Sequence, residues 1–176
     1  MNLLLRFVLF LLALAAVGCG GAPAELTEVE EAEIYATVIR RIYTEDDTYG
    51  GTFQPSRLYV IGITDDSAGE PGVEANPTAI AEGVRQEVAS RLADLPTEIV
   101  WVETQDEVAL EPDTLEVEGK GAIITLGNIA RQEDDLVHVP GSIYVAGMAG
   151  GGQTYVVERM EGVWTITGNT GVEWIS

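Results

Sequence analysis

Residues 154–167 read TYVVERMEGVWTIT. Two short runs rich in Val, Tyr, Trp, Ile and Thr flank the pair Glu161-Gly162. Such side chains suit a pleated, half-buried strand. An acid–Gly pair between two such runs is a hairpin signal, because glycine tolerates the positive φ that a two-residue turn requires. The spacing predicts strands over 154–160 and 163–167. Working back along the chain, 142–149 and 122–126 are further β-rich runs. Gly150-Gly151-Gly152 is expected to join 142–149 to 154–160 as a looser turn. The C-terminal third therefore reads as an antiparallel meander.

The first half reads differently. Ile34, Val38 and Ile42 recur every four residues, flanked by Tyr35, Ile39 and Tyr43. This predicts a helix from about Val29 to Thr44. Its acidic first turn and its Arg40-Arg41 end agree with the helix dipole. Residues 57–64, RLYVIGIT, form a β-rich run that is apolar in its middle and reads as a buried strand. A loop rich in Gly, Pro and acids follows. A second helix is expected to open at Pro77 or Thr78, with Ile80, Val84, Val88, Leu92 and Leu95 as its apolar stripe and Pro96 closing it. Residues 98–104, EIVWVET, are again strand-like, so strand, helix and strand suggest a βαβ crossover. The expected fold class is α+β: two helices packed on a mostly antiparallel sheet with a C-terminal β-meander, in a single domain over 28–176.

The remaining N-terminal residues separate by composition. Residues 7–17, FVLFLLALAAV, are wholly apolar, and Arg6 is the one charge before them. Eleven residues are too few for a membrane span, which needs about 20. A short positive segment followed by such a run has the pattern of a secretory signal peptide. Ala16-Val17-Gly18-Cys19 then resembles the lipobox of bacterial lipoproteins, although leucine is commoner where Ala16 stands. The resemblance implies cleavage between Gly18 and Cys19 and diacylation of the Cys19 thiol, with or without acylation of the freed amino group. It implies a signal peptide over 1–18, a lipidated tether over 19–27, and a domain outside the cytoplasm. That domain would be bound through its lipid to the cell membrane or the outer membrane. Two or three acyl chains make such attachment durable. The short segment from Gly20 to Leu26 spans at most ~25 Å when extended, which holds the domain close to the bilayer. Residues 155–176 are also similar to the ends of exported bacterial domains of unassigned function, some in the cystatin-like or nuclear-transport-factor-like α+β group. Gly162, Trp164 and Ile166 carry that similarity, and it concerns fold alone.

Charge narrows the function. The chain has 29 acidic and 9 basic residues, a net charge of -20. Without residues 1–18 the balance is 8 basic against 29 acidic, or -21. Nucleic acid is excluded as a partner, because phosphate contacts need a basic face. Cys19 is the only cysteine, so no internal disulfide is available.

Candidate chemistry is sparse. His138 is the only histidine. With Ser142 and Asp134 or Asp135 it could form a triad on paper, but no G-x-S-x-G elbow accompanies it. The acidic clusters Glu45-Asp46-Asp47, Asp65-Asp66 and Glu133-Asp134-Asp135 offer oxygen ligands for calcium, without the EF-hand spacing. Zinc is disfavoured, since its sites draw on Cys and His. No metal, cofactor or catalytic residue is therefore assigned. Trp101, Trp164, Tyr155, Tyr144 and Tyr59 alternate with apolar neighbours and are expected in cross-strand packing, or, if grouped on one open face, as a binding platform. The leading expectation is a membrane-tethered, non-enzymatic domain that binds a small ligand or a protein partner. The alternative is a cell-envelope hydrolase using carboxylates or His138.

Overall fold

The computed structural model describes residues 25–46 and 53–176. The expected signal peptide over 1–18, Cys19, the first part of the expected tether and Asp47 lie outside these residues. Among the described residues no helix is long and apolar enough to cross a membrane.

The chain forms helix α1 (Glu28–Thr44), strand β1 (Arg57–Ile61), helix α2 (Glu82–Arg91) and strands β2 (Glu98–Val102) and β3 (Gly121–Leu126). Strands β4 (Ala130–Glu133), β5 (Leu136–Ala146), β6 (Ala149–Met160) and β7 (Val163–Ile175) follow. All seven strands join one sheet of order β2-β1-β3-β5-β6-β7, with β4 pairing β5. β1 runs parallel to both β2 and β3, and every other pairing is antiparallel. The fold is the α+β arrangement expected, with a strand–helix–strand unit at one edge and a meander at the other.

Helix α1 begins where its first turn is chemically closed. The Thr27 hydroxyl accepts the Glu30 backbone N–H, and the Glu30 carboxylate accepts the Thr27 N–H at 2.9 Å. This reciprocal cap satisfies two of the donors that a helix start leaves open. The bonds from the Thr27 backbone and hydroxyl, and the nearby Arg159, hold the Glu30 carboxyl below its usual range. The apolar stripe of α1, with Ile34, Val38, Ile39 and Ile42 almost wholly buried, faces the sheet. It meets Leu58 and Val60 of β1, Ala122, Ile124 and Leu126 of β3, Val137 and Val139 of β5, and Tyr155 and Val157 of β6. Full burial of each large aliphatic contributes about 1.5–3 kcal/mol. Close approach is possible because β5 has glycine at 141. A Cβ there would sit 3.1 Å from the Tyr155 ring and 3.2 Å from Val38 and Ile42.

Helix α2 starts later than its periodicity suggests. Residues 77–81 are extended and tied to the end of β1, with Ile63 bridging Ala79 and the Ile80 N–H donating to the Gly62 carbonyl at 2.8 Å. Arg85 fixes this join by donating to the Ile80 and Gly62 carbonyls and to Glu103. Ile80, Val84, Val88 and Leu92 still enter the core as a stripe.

The second face of the sheet is covered in two places. Val108, Leu110 and Val117 pack over Tyr59, Ile61, Val100, Ile123 and Tyr144. A short 3-10 turn over Asp66–Ala68 packs on β5 and β6. The meander differs from expectation in its strand bounds: β5 spans Leu136–Ala146 where a strand over 142–149 was expected. Gly150-Gly151-Gly152 is not a turn but lies inside β6, and the chain reverses at Gly147-Met148 instead. Glycine is needed at 152 because that residue lies against the 3-10 turn with no room for a side chain. The Glu161-Gly162 hairpin is as read, with φ of 54 and 85 and Met160 paired to Val163. β7 runs eight residues past Thr167, and β4 is an additional short strand.

Candidate functional site

The parallel pair β1–β3 creates the site. From the end of β1 the chain departs towards α2 and β2; from the end of β3 it departs the opposite way, towards β4 and β5. The crevice left outside two such strand ends is where open sheets with parallel strands commonly bind ligands. A cleft of about 600 Å³ lies here. It is lined by Leu26, Glu31, Tyr35, Ile80, Ile129 and Arg131, with Glu25, Thr64, Thr78, Ala79, Ala81 and Asn128 completing it.

One wall is fixed by a polar network between the two strand ends. Thr64 is 3% exposed; its hydroxyl lies 3.0 Å from Asn128 Oδ1 and accepts the Thr78 N–H at 2.9 Å. The Asp66 carboxylate accepts the Asn128 backbone N–H at 2.7 Å and its side-chain amide at 3.1 Å. The same amide donates to the Asn76 carbonyl at 2.7 Å. Asn76 takes a positive φ of 46, which the short polar side chain of Asn tolerates. Bonds of this kind to a charged acceptor are worth about 1.5–3 kcal/mol each, so the wall is preformed.

The opposite wall is α1. Tyr35 donates its hydroxyl to the Gly127 carbonyl at 3.3 Å. Burial pushes its phenol upwards, and the charges of Glu31 and Asp66 add to that. The Glu31 carboxylate has no hydrogen-bond partner among the described residues, and desolvation, then Glu28, raises it above the usual range. The Arg131 guanidinium donates to the Glu133 and Asp134 carbonyls.

The residues singled out in the sequence are dispersed. His138 and Ser142 lie on one face of β5, four residues apart, hence about 13 Å along the strand. Asp134 and Asp135 sit at the β4–β5 turn, with Asp135 beside Arg159 and Asp134 beside Arg131. No triad assembles from them. Asp46 pairs with Arg41 and Gln153, Glu45 pairs with Arg41, and Asp65 caps the 3-10 turn. Among the described residues no group of three or more His, Cys, Asp or Glu could hold a metal ion. Trp101, Trp164 and Tyr155 pack with the helix-side core, and Tyr59 and Tyr144 with the cluster on the other face, so the aromatics do not form one open platform.

A second groove lies where α1 ends over β6 and β7. Its two lobes, about 220 and 420 Å³, share Asp46, Gln153, Tyr155 and Glu173. There the polar groups largely bind one another: Asp46 takes Arg41 and Gln153, and Gln153 takes Asn169.

Sequence reasoning did not single out Glu31, Asn128 or Thr64 as site residues. Glu31 carried a legible signal, since it falls on the stripe of Tyr35, Val38 and Ile42, where an acid is out of place. No family model, curated protein or solved structure matches the chain.

Proposed function

We propose that the protein is an exported, lipid-anchored lipoprotein whose domain binds a small ligand or partner without chemical turnover. The observation that carries this reading is the lipobox-like Ala16-Val17-Gly18-Cys19 set directly behind the apolar run 7–17. The cleft at the ends of β1 and β3 supports the binding half. It is preformed, of ligand size, and lined by one unpartnered carboxylate on α1 rather than by a nucleophile with its base. Glu25 and Leu26 line the cleft, so the chain that leads to the tether leaves the domain beside the cleft. The lipid thus presents the cleft close to the bilayer rather than away from it.

The test is cell fractionation. The wild-type protein is expected in the membrane fraction, released by detergent but not by high salt. Cys19→Ala is expected to abolish processing between residues 18 and 19 and to lose the lipid mass. Wild-type protein recovered in the soluble fraction would contradict the proposal.

A further inference from the structure

We infer that the cleft between Glu31 and the ends of β1 and β3 binds an organic cation, an ammonium group carried on a short apolar body. This rests on the binding reading above and names its ligand class. Hydrogen-bond supply decides the ligand class. The side-chain donors on the cleft wall are engaged within the protein: Tyr35 to Gly127, Asn128 to Asp66 and Asn76, and Arg131 to Glu133 and Asp134. The Thr64 hydroxyl is held between Thr78 and Asn128. What remains among the described residues is the Thr78 hydroxyl and the carboxylates of Glu25 and Glu31, which accept only when ionised. An anion would meet those two negative charges with the Thr78 hydroxyl as its side-chain donor. A sugar, with several hydroxyls to satisfy, would need more side-chain donors than that one. An ammonium supplies three donors and one positive charge.

The rest of the cleft suits an apolar body. Leu26, Ile80 and Ile129 are partly or wholly buried hydrophobics of the core margin, and they line the cleft with Ala79, Ala81 and the Tyr35 ring. The net charge of -20 adds a long-range attraction for cations and repels anions. Beside Glu31 stand Glu28 on its own helix and, lining the same cleft, Glu25, Tyr35 and Arg131. Desolvation, and after it Glu28, raises the Glu31 carboxyl above the ordinary range, so binding should weaken as the pH falls through that range.

The same chemistry is offered by a free amine and by the amine of a lipid headgroup, and the experiment separates them. The mature lipid-anchored protein is placed in nanodiscs of an uncharged glycolipid, and the methyl signals of Ile80 and Ile129 are followed by NMR. Hexylammonium, hexanol and hexanoate are titrated in turn. Hexylammonium should shift both residues and bind at least about tenfold tighter than hexanol, the scale of a single charge-assisted hydrogen bond. Hexanoate should not bind. Glu31→Gln should reduce hexylammonium to the level of hexanol while leaving the melting temperature unchanged or higher, since it removes a desolvated charge. If phosphatidylethanolamine is the source, adding it to the disc shifts Ile80 and Ile129 and hexylammonium displaces it; if the source is a free amine, it does neither. Equal binding of hexylammonium and hexanol, or binding indifferent to Glu31→Gln, overturns the assignment and leaves the binding reading standing. Silence from all three probes overturns both.

Discussion

Trp164→Ala is expected to destabilise the domain by about 3–5 kcal/mol, the range for removing a buried large aromatic. Trp164 is 2% exposed and joins β7 to the helix layer. Its backbone N–H donates to the Glu33 carboxylate at 3.1 Å, its carbonyl accepts from Thr37, and the Arg159 guanidinium lies 4.6 Å from its ring centre. Arg159 in turn pairs with Glu30 in the cap of α1. Truncation therefore opens a cavity and also removes the surface on which that ion pair rests. Trp164→Phe separates the two contributions. The indole N–H is buried with no hydrogen-bond partner, a defect that costs about 1–3 kcal/mol on general grounds. Phe removes it while keeping most of the ring. Its expected cost is well under half that of Ala, read from denaturant midpoints with unchanged slope. Equal losses for the two variants would show that the ring contributes less than this packing requires.

Gly152→Ala should have the second large effect. A Cβ at this position would lie 2.2 Å from the Ala68 carbonyl, 2.7 Å from Trp174 Nε1 and 2.8 Å from Ser142 Cβ. The first of these is backbone, so the 3-10 turn must move away from the sheet. That move breaks the 2.9 Å bond from the Trp174 indole to the Ala68 carbonyl. It also pulls on Asp66, two residues earlier, which holds the cleft wall through Asn128. Overpacking of this kind costs about 1–3 kcal/mol, occasionally more. The control is Gly168→Ala on the neighbouring strand, where nothing lies within 4 Å of the added carbon. It should be neutral within about 0.5 kcal/mol. Hydrogen exchange should show faster opening at residues 64–78 and 128 in Gly152→Ala and no change there in Gly168→Ala.

These two residues also mark what the sequence did and did not disclose. Trp164 was legible: alternation with Ile166 and the Glu161-Gly162 pair placed it on a strand after a tight turn, and the φ values of that pair match. Periodicity likewise found α1, because Ile34, Val38 and Ile42 answer to one local rule. Gly152 was misread because a run of three glycines in isolation favours a turn. Only the covering 3-10 turn, more than 80 positions earlier, makes glycine a requirement inside a strand. The start of α2 was misplaced for a similar reason: Ile80 belongs to the apolar stripe, yet its N–H is bound to the end of β1 rather than to a helix. Beyond the misplaced acid at Glu31, the cleft was not legible, because Glu31, Thr64 and Asn128 meet only when β1 and β3 become parallel neighbours. That pairing depends on tertiary closure and has no local pattern.

The fold also gives the acid clusters structural partners. Glu45, Asp46, Asp65 and Asp66 cap turns or neutralise the few arginines, as a chain of 29 acids and 9 bases must arrange. Glu31 differs from them in having no partner among the described residues, and in that respect it resembles an acceptor kept for something outside the chain.

Attachment through a lipid on Cys19 is the central proposal. Intact-mass spectrometry of the protein isolated from its own cells measures this directly. The proposed form begins at Cys19, lacks residues 1–18, and carries a diacylglyceryl group in thioether linkage to the cysteine sulfur. A chain that retains its first eighteen residues, or one that begins near Cys19 with an unmodified thiol, would contradict it.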